Sequence, residues 1–182
     1  MKTVNIYTDG ACSGNQNEEN TGGWGCVLEY GGHEKELFGG EENTTNNRME
    51  LFALISALQA LKVTGLNINI YSDSSYLVNC FKNRWYNSWQ KNGWKTSKKT
   101  PVENRELWEQ LISLLAPHTV KFFLVKGHVN AENQAAVEKA FDNFCRHNGP
   151  VERDRFVEIL RYNSRCDELA TRFQRGKTAE AE

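Results

Sequence analysis

The sequence predicts an α/β fold, a five-stranded mixed sheet flanked by helices. Three observations carry that reading. Strand-like runs come first, at Val4 to Thr8, Trp24 to Tyr30 and Glu34 to Phe38. A run at helical spacing follows, Met49, Leu51, Phe52, Leu54, Ile55, Leu58 and Leu61, with Gly65 just beyond it. Two more strand patterns, Asn67 to Ser72 and Val120 to Val125, are separated by helical stretches long enough to cross back over a sheet.

Near-alternation of apolar and polar residues marks the first strand, and the Gly31-Gly32 turn signal separates the next two. These three form an antiparallel meander. The apolar period then predicts a helix over 47 to 63, packed on the sheet. Helices are expected near 74 to 83, 85 to 91 and 103 to 115, with a Gly93 to Pro101 loop between the last two. After the fifth strand, Val137, Ala140, Phe141 and Phe144 share one face of a helix over 135 to 145. A break at His147-Asn148-Gly149-Pro150 precedes a short helix over 151 to 161 with Phe156, Val157, Ile159 and Leu160, and a third over 165 to 175. The expected domain spans 1 to 176, with a frayed tail, 177 to 182.

Length fits one domain with an elaboration, since domains commonly run about 100 to 200 residues and this chain has 182. With 39% apolar residues, 25% charged and only 3 prolines, the composition supports a packed core and excludes collagenous and disordered classes. Ser56 and Gln59 interrupt the richest apolar stretch, Leu51 to Leu61, so no membrane span is expected. The start of the chain is strand-like rather than a basic segment followed by an apolar one, and cytoplasmic residence is the expectation. Five cysteines without a Cys-x-x-Cys pair argue against a disulfide framework or structural zinc. Net charge is -1, but residues 82 to 101 hold six bases and no acid, which leaves -7 on the rest of the chain.

Carboxylates mark the candidate chemistry. Asp9 ends the first strand and enters the small-residue loop Gly10 to Asn15, and Asp73 ends the fourth strand. If those strands are parallel neighbours, both acids emerge at the carboxyl edge, where open α/β sheets bind ligands. Glu50, early in the first helix, could return to that edge. Converging carboxylates repel unless a cation neutralises them, and an all-oxygen donor set selects hard ions. For any one of these acids alone, capping or turn chemistry is the plainer reading.

Five segments then combine: Tyr7-Thr8-Asp9-Gly10-Ala11-Cys12-Ser13-Gly14-Asn15, Thr44-Thr45-Asn46-Asn47-Arg48-Met49-Glu50-Leu51, Tyr71-Ser72-Asp73-Ser74, Val125-Lys126-Gly127-His128 and Asn163-Ser164-Arg165-Cys166-Asp167-Glu168-Leu169-Ala170. In identity and order they resemble the signature motifs of the type 1 ribonuclease H family, and the resemblance covers residues 1 to 130 and 163 to 175. It implies a ribonuclease H-like fold and an endonuclease that hydrolyses the RNA strand of RNA/DNA hybrids, leaving 5′-phosphate and 3′-hydroxyl ends. Asp9, Glu50, Asp73 and Asp167 become the metal-binding tetrad for two magnesium ions, with manganese as a substitute. One ion would activate the attacking water and the other would stabilise the leaving 3′-oxygen. His128 matches the family's mobile histidine, which accepts or relays a proton. His33, His118 and His147 have no such context and read as structural or solvated.

By the same resemblance, backbone amides near Cys12 and Ser13, with Asn15, Thr45, Asn46 and Asn47, contact the hybrid backbone, where only RNA offers a 2′-hydroxyl. Asn46 and Asn47 taken alone read equally well as a turn or helix cap. Ser75 departs from the pattern, because well-known relatives carry Gln beside the metal aspartate. Trp89 to Thr96 resembles the family's basic handle, about 82 to 101, and makes Trp85, Lys91, Lys95, Lys98 and Lys99 candidate substrate contacts. For Trp85, Trp89 and Trp94, core packing and nucleic-acid contact are equally open.

The clearest departure lies between His128 and Asp167, 39 positions apart where typical members have a short loop. The excess, about 131 to 162, reads as an inserted helical hairpin. Its acids Glu132, Glu138, Asp142, Glu152, Asp154 and Glu158 face bases Lys139, Arg146, Arg153, Arg155 and Arg161, a balance that does not suggest a second phosphate-binding surface. A hairpin packed at the domain edge is the plainer reading and a regulatory lid the other. Rival functions are a recombinase or integrase, disfavoured by the hybrid-contact motifs, and a non-catalytic binding module, disfavoured by the four acids. No obligate protein partner is evident, and a monomer is expected.

Overall fold

The computed structural model describes residues 2–13 and 19–180, with 177–180 described by their backbone. Strands β1 (Thr3–Ser13), β2 (Thr21–Tyr30) and β3 (His33–Glu42) form the meander. Gly31 and Gly32 turn the chain at φ 56° and 84°, values that favour glycine. Helix α1 (Asn46–Gln59) carries the chain back so that β4 (Asn67–Ser72) pairs parallel with β1. Helices α2 (Ser75–Lys82), α3 (Trp85–Asn92) and α4 (Arg105–Leu115) lead to β5 (Thr119–Leu124), parallel to β4. The sheet order is β3-β2-β1-β4-β5.

Alternation along β1 sends Ile6 to one face and Tyr7 to the other. Ile6, Ile68 and Ile70 pack with Leu51 and Leu54 of α1 and Trp108 and Leu111 of α4. Across the sheet, Tyr7, Val27 and Tyr71 pack with α5 (Gln134–Asn148) and α6 (Arg153–Glu180) through Phe144, Phe156, Ile159 and Cys166. Tyr162, Tyr7, Tyr71 and Phe123 stack in series at centroid separations of 4.1, 5.0 and 4.8 Å. Arg155 lies against this ladder and donates to Tyr7 Oη at 2.6 Å. Burying a large apolar side chain contributes about 1.5–3 kcal/mol. The inserted segment therefore supplies half of the second core instead of decorating the domain edge.

Two expectations change here. The small-residue loop over Gly10 to Asn15 is instead strand through Ser13, because Gly10 to Ser13 continue the ladder opposite Thr21 to Trp24. The separate helices expected over 151 to 161 and 165 to 175 are one helix. Phe156, Leu160, Asn163, Cys166 and Ala170 form an unbroken buried stripe at three- and four-residue spacing, so no register change stops the helix. That helix runs to Glu180. Gln174 Nε2 donates to Thr21 O at 2.8 Å and pins that end of α6 to the sheet.

Candidate active site

The parallel pairing of Thr8 with Ser72 places the next residue on each strand, Asp9 and Asp73, side by side at the carboxyl edge. Glu50 joins them because α1 crosses directly over Gly10. A Cβ on Gly10 would lie 2.6 Å from the Glu50 backbone nitrogen, so a larger residue there would push α1 away. One carboxylate oxygen from each of Asp9, Glu50 and Asp73 lies within 4.8 Å of the others. Asp167 reaches the same pocket, about 330 Å³, from α6, and His128, Cys12 and Asn46 line it as well. Helix α6 approaches so closely because β2 is glycine-rich. A Cβ on Gly25 would meet the Cys166 carbonyl oxygen at 2.6 Å.

Burial and mutual repulsion act together on these acids. The Asp9 carboxyl is pushed up to about 9, first by burial and then by the charges of Asp73 and Asp167. Glu50 is raised well above the usual carboxylate range, chiefly by burial and then by Asp9. Burial also raises Asp73, although Asp9 and His128 pull the other way. Glu50 Oε2 is buried and has no hydrogen-bond partner among the described residues. A buried, orphaned carboxylate oxygen among other acids fits a hard divalent cation, which would supply the missing partner and remove the repulsion.

The other expected site residues divide. Thr45 caps α1, its hydroxyl accepting from the Arg48 amide at 3.2 Å, so the cap anticipated at Asn46 or Asn47 lies one residue earlier. Asn46 and Asn47 are exposed in the first turn, and only Asn46 lines the pocket. Cys12 Sγ contacts Thr44 O at 3.6 Å, and Ser13 Oγ donates to Thr21 O at 3.2 Å. Asn15 lies outside the described residues. Ser75 is exposed beside Asp73, in the first turn of α2. His128 is exposed, with a left-handed φ of 59°.

In the handle, Lys91, Lys95, Lys98 and Lys99 are all exposed. Trp94, 7% exposed, is core, and half-buried Trp89 packs on Trp94 and Trp108 at 5.8 and 5.5 Å. Trp85, 38% exposed, is the indole left at the surface. Sequence reasoning missed the positioning roles of Gly25 and Gln174. The signal was present for the first, since Gly22-Gly23-Trp24-Gly25 inside a strand marks close backbone approach. Gln174 carried none.

The family model described as RNase H matches residues 1–144. A ribonuclease H of Acetivibrio thermocellus is 47% identical over 171 residues, 94% of each chain, so this chain and that relative match almost end to end. One from Thermoanaerobacter sp. (strain X514) is 55% identical over 145 residues, 80% of this chain and 86% of the relative. Among solved structures, LC9-RNase H1, a type 1 RNase H with the type 2 active-site motif, superposes with a TM-score of 0.63 at 30% identity, covering 85% of this chain and 80% of that one. A foamy viral protease-reverse transcriptase in complex with RNA/DNA hybrid shares the fold at TM-score 0.61 and 18% identity, over 94% of this chain and 20% of that one. Among the described residues no helix is long and apolar enough to cross a membrane. Motif order, sheet topology and these relatives agree: the chain belongs to the ribonuclease H family of nucleases.

Proposed function

We propose that this protein hydrolyses the RNA strand of RNA/DNA hybrids endonucleolytically, with Asp9, Glu50, Asp73 and Asp167 as the residues that hold two divalent ions. Magnesium is the expected ion and manganese its substitute, because every donor is a carboxylate oxygen. The observation that carries the reading is the unpartnered buried Oε2 of Glu50 within a cluster of acids at one sheet edge. Bound there, hard divalent ions neutralise the acids and stabilise charge on the oxygens of the scissile phosphate.

The rest is done by side chains of this chain. A water oxygen bonds to phosphorus as the bond to the 3′-oxygen breaks. His128, exposed at the rim, accepts or relays the water's proton, and a proton on the 3′-oxygen completes the 3′-hydroxyl opposite a new 5′-phosphate. Asn46 and the amides of Cys12 and Ser13 stand where a ribose 2′-hydroxyl is recognised, with Thr45 and Asn47 beside them. Asn15 belongs to the same expectation. Lys91, Lys95, Lys98 and Lys99, with Trp85, take phosphates of the hybrid through a salt-sensitive charge term. The five cysteines, all free, suit a reducing compartment such as the cytoplasm, and the chain is expected to act as a monomer.

Labelled RNA/DNA hybrid, duplex RNA and duplex DNA offered with magnesium test this directly. Cutting of RNA in the hybrid alone, with 5′-phosphate products, is expected. Equal cutting of duplex DNA, or none of any substrate, overturns the reading.

A further inference from the structure

Two adjoining cavities run away from the acid cluster along α5. The first, about 290 Å³, opens at Asp73, Ser75 and Gly127 and reaches Lys126, Asn143 and His147. The second, about 420 Å³, is lined by Lys126, Lys139, Asp142, Asn143 and Arg146. They share Lys126 and Asn143, so together they make one groove that leads from a catalytic carboxylate onto the insertion.

The even charge of the insertion hides how its charges are paired. Glu138 pairs with Arg153, Glu158 with Arg155 at 3.0 Å, and Glu132 with Arg161 at 3.9 Å. Three of its five bases are thereby matched. Lys139 and Arg146 make no ion pair among the described residues, nor does Lys126. The lining of the second cavity is therefore three cations against one anion, Asp142. Lys139, Asn143 and Arg146 recur at four- and three-residue spacing, which puts them on one face of α5. From Lys139 to Arg146 is about two turns, roughly 10.5 Å at 1.5 Å per residue. Short Ser75 leaves the passage from Asp73 open.

We propose that α5 and Lys126 form a second phosphate track, separate from the basic handle, that holds the sugar-phosphate backbone of the substrate as it leaves the acid cluster. This rests on the reading of the protein as a hybrid nuclease and gives the insertion a substrate-binding role. An elongated polyanion fits better than a single anion, because the cations are spread along two turns and continue directly into the site of cleavage.

The test compares the parent with Lys139→Ala/Arg146→Ala, both exposed and neither in the acid cluster, on one RNA/DNA hybrid over a series of salt concentrations. The log-log salt slope of binding should flatten by about 0.7–0.9 for each phosphate no longer neutralised. KM should rise roughly tenfold while kcat at saturating hybrid holds, as removal of uniform binding requires. A charge-matched control, Lys62→Ala/Lys121→Ala, should leave the slope unchanged. Asp142→Asn, which deletes the one acid of the second cavity, should move affinity the opposite way and tighten it, so a general loss of fold cannot imitate the pattern. Slopes equal for parent and Lys139→Ala/Arg146→Ala overturn the groove while the parent still cuts hybrid. A parent that cuts no hybrid overturns the underlying reading first.

Discussion

In the handle, residues 82–101, six bases occur without a single acid, and their anchor is aromatic: Trp89 packs inward on Trp94 and Trp108. In the insertion, α5 and the first turns of α6, acids and bases are nearly equal in number. Ion pairs match most of them, and Phe156, Ile159 and Leu160 bury themselves against the sheet. One segment carries its charge in composition and is attached to the core by indoles. The other is part of the core, and its unmatched bases emerge only after its ion pairs are drawn. A count of charges therefore describes a surface only when the segment has no acids to pair.

Disabling the acid cluster should silence the enzyme while leaving both regions in place. Asp9→Asn should lower hydrolysis at least about 100-fold, since the charge stabilisation removed amounts to several kcal/mol and each 1.36 kcal/mol is a factor of ten. Hybrid binding should persist, because one negative charge near phosphate is gone. Near-parental turnover would remove Asp9 from the metal site.

The next effect separates core from appendage. Phe156 is 1% exposed and packs on Phe141 and Phe144 at 5.4 Å each, so Phe156→Ala should cost about 3–5 kcal/mol in denaturant unfolding. Trp85→Ala in the handle should change stability by less than about 0.5 kcal/mol. Equal losses would erase the distinction. Replacing 132–161 by a short flexible loop should accordingly unfold the protein instead of freeing a lid.

Neutralising Lys91, Lys95, Lys98 and Lys99 to Ala should weaken hybrid affinity and flatten its salt dependence by about 0.7–0.9 for each phosphate released, with melting temperature nearly constant. An unchanged salt slope would reassign the handle's bases to solubility. Combined with the groove variant, the two reductions of slope should add if the tracks are independent.

The last effect is the dependence of stability on pH. Burial, then Asp73 and Asp167, raise the Asp9 carboxyl to about 9, whereas a free aspartate titrates near 4. The native state then binds more protons than the unfolded chain, so metal-free stability falls as pH rises from about 4 toward 9. Melting in chelator between pH 5 and 8 should show that decline. Magnesium should reduce it, and Asp9→Asn should flatten it; a flat profile for the metal-free parent contradicts the repulsion.

By itself the sequence determined the five-strand order, the helix after the meander, and the motifs at Asp9, Glu50, Asp73, His128 and Asp167. Those follow from local rules: alternation, helical period, glycine turns and short segments of fixed chemistry. Tertiary structure alone decided three things. The apolar stripe of α6 runs unbroken through Asn163 because the sheet beneath it is continuous. Glu50 and Asp167 reach Asp9 because Gly10 and Gly25 lack the Cβ atoms that would hold α1 and α6 away. Lys139 and Arg146 form no ion pair among the described residues, although Asp142 lies three and four positions from them on α5, whereas Glu138 pairs across the hairpin with Arg153. Each depends on which surfaces meet, and pairing between elements distant in sequence leaves no period or spacing in the chain.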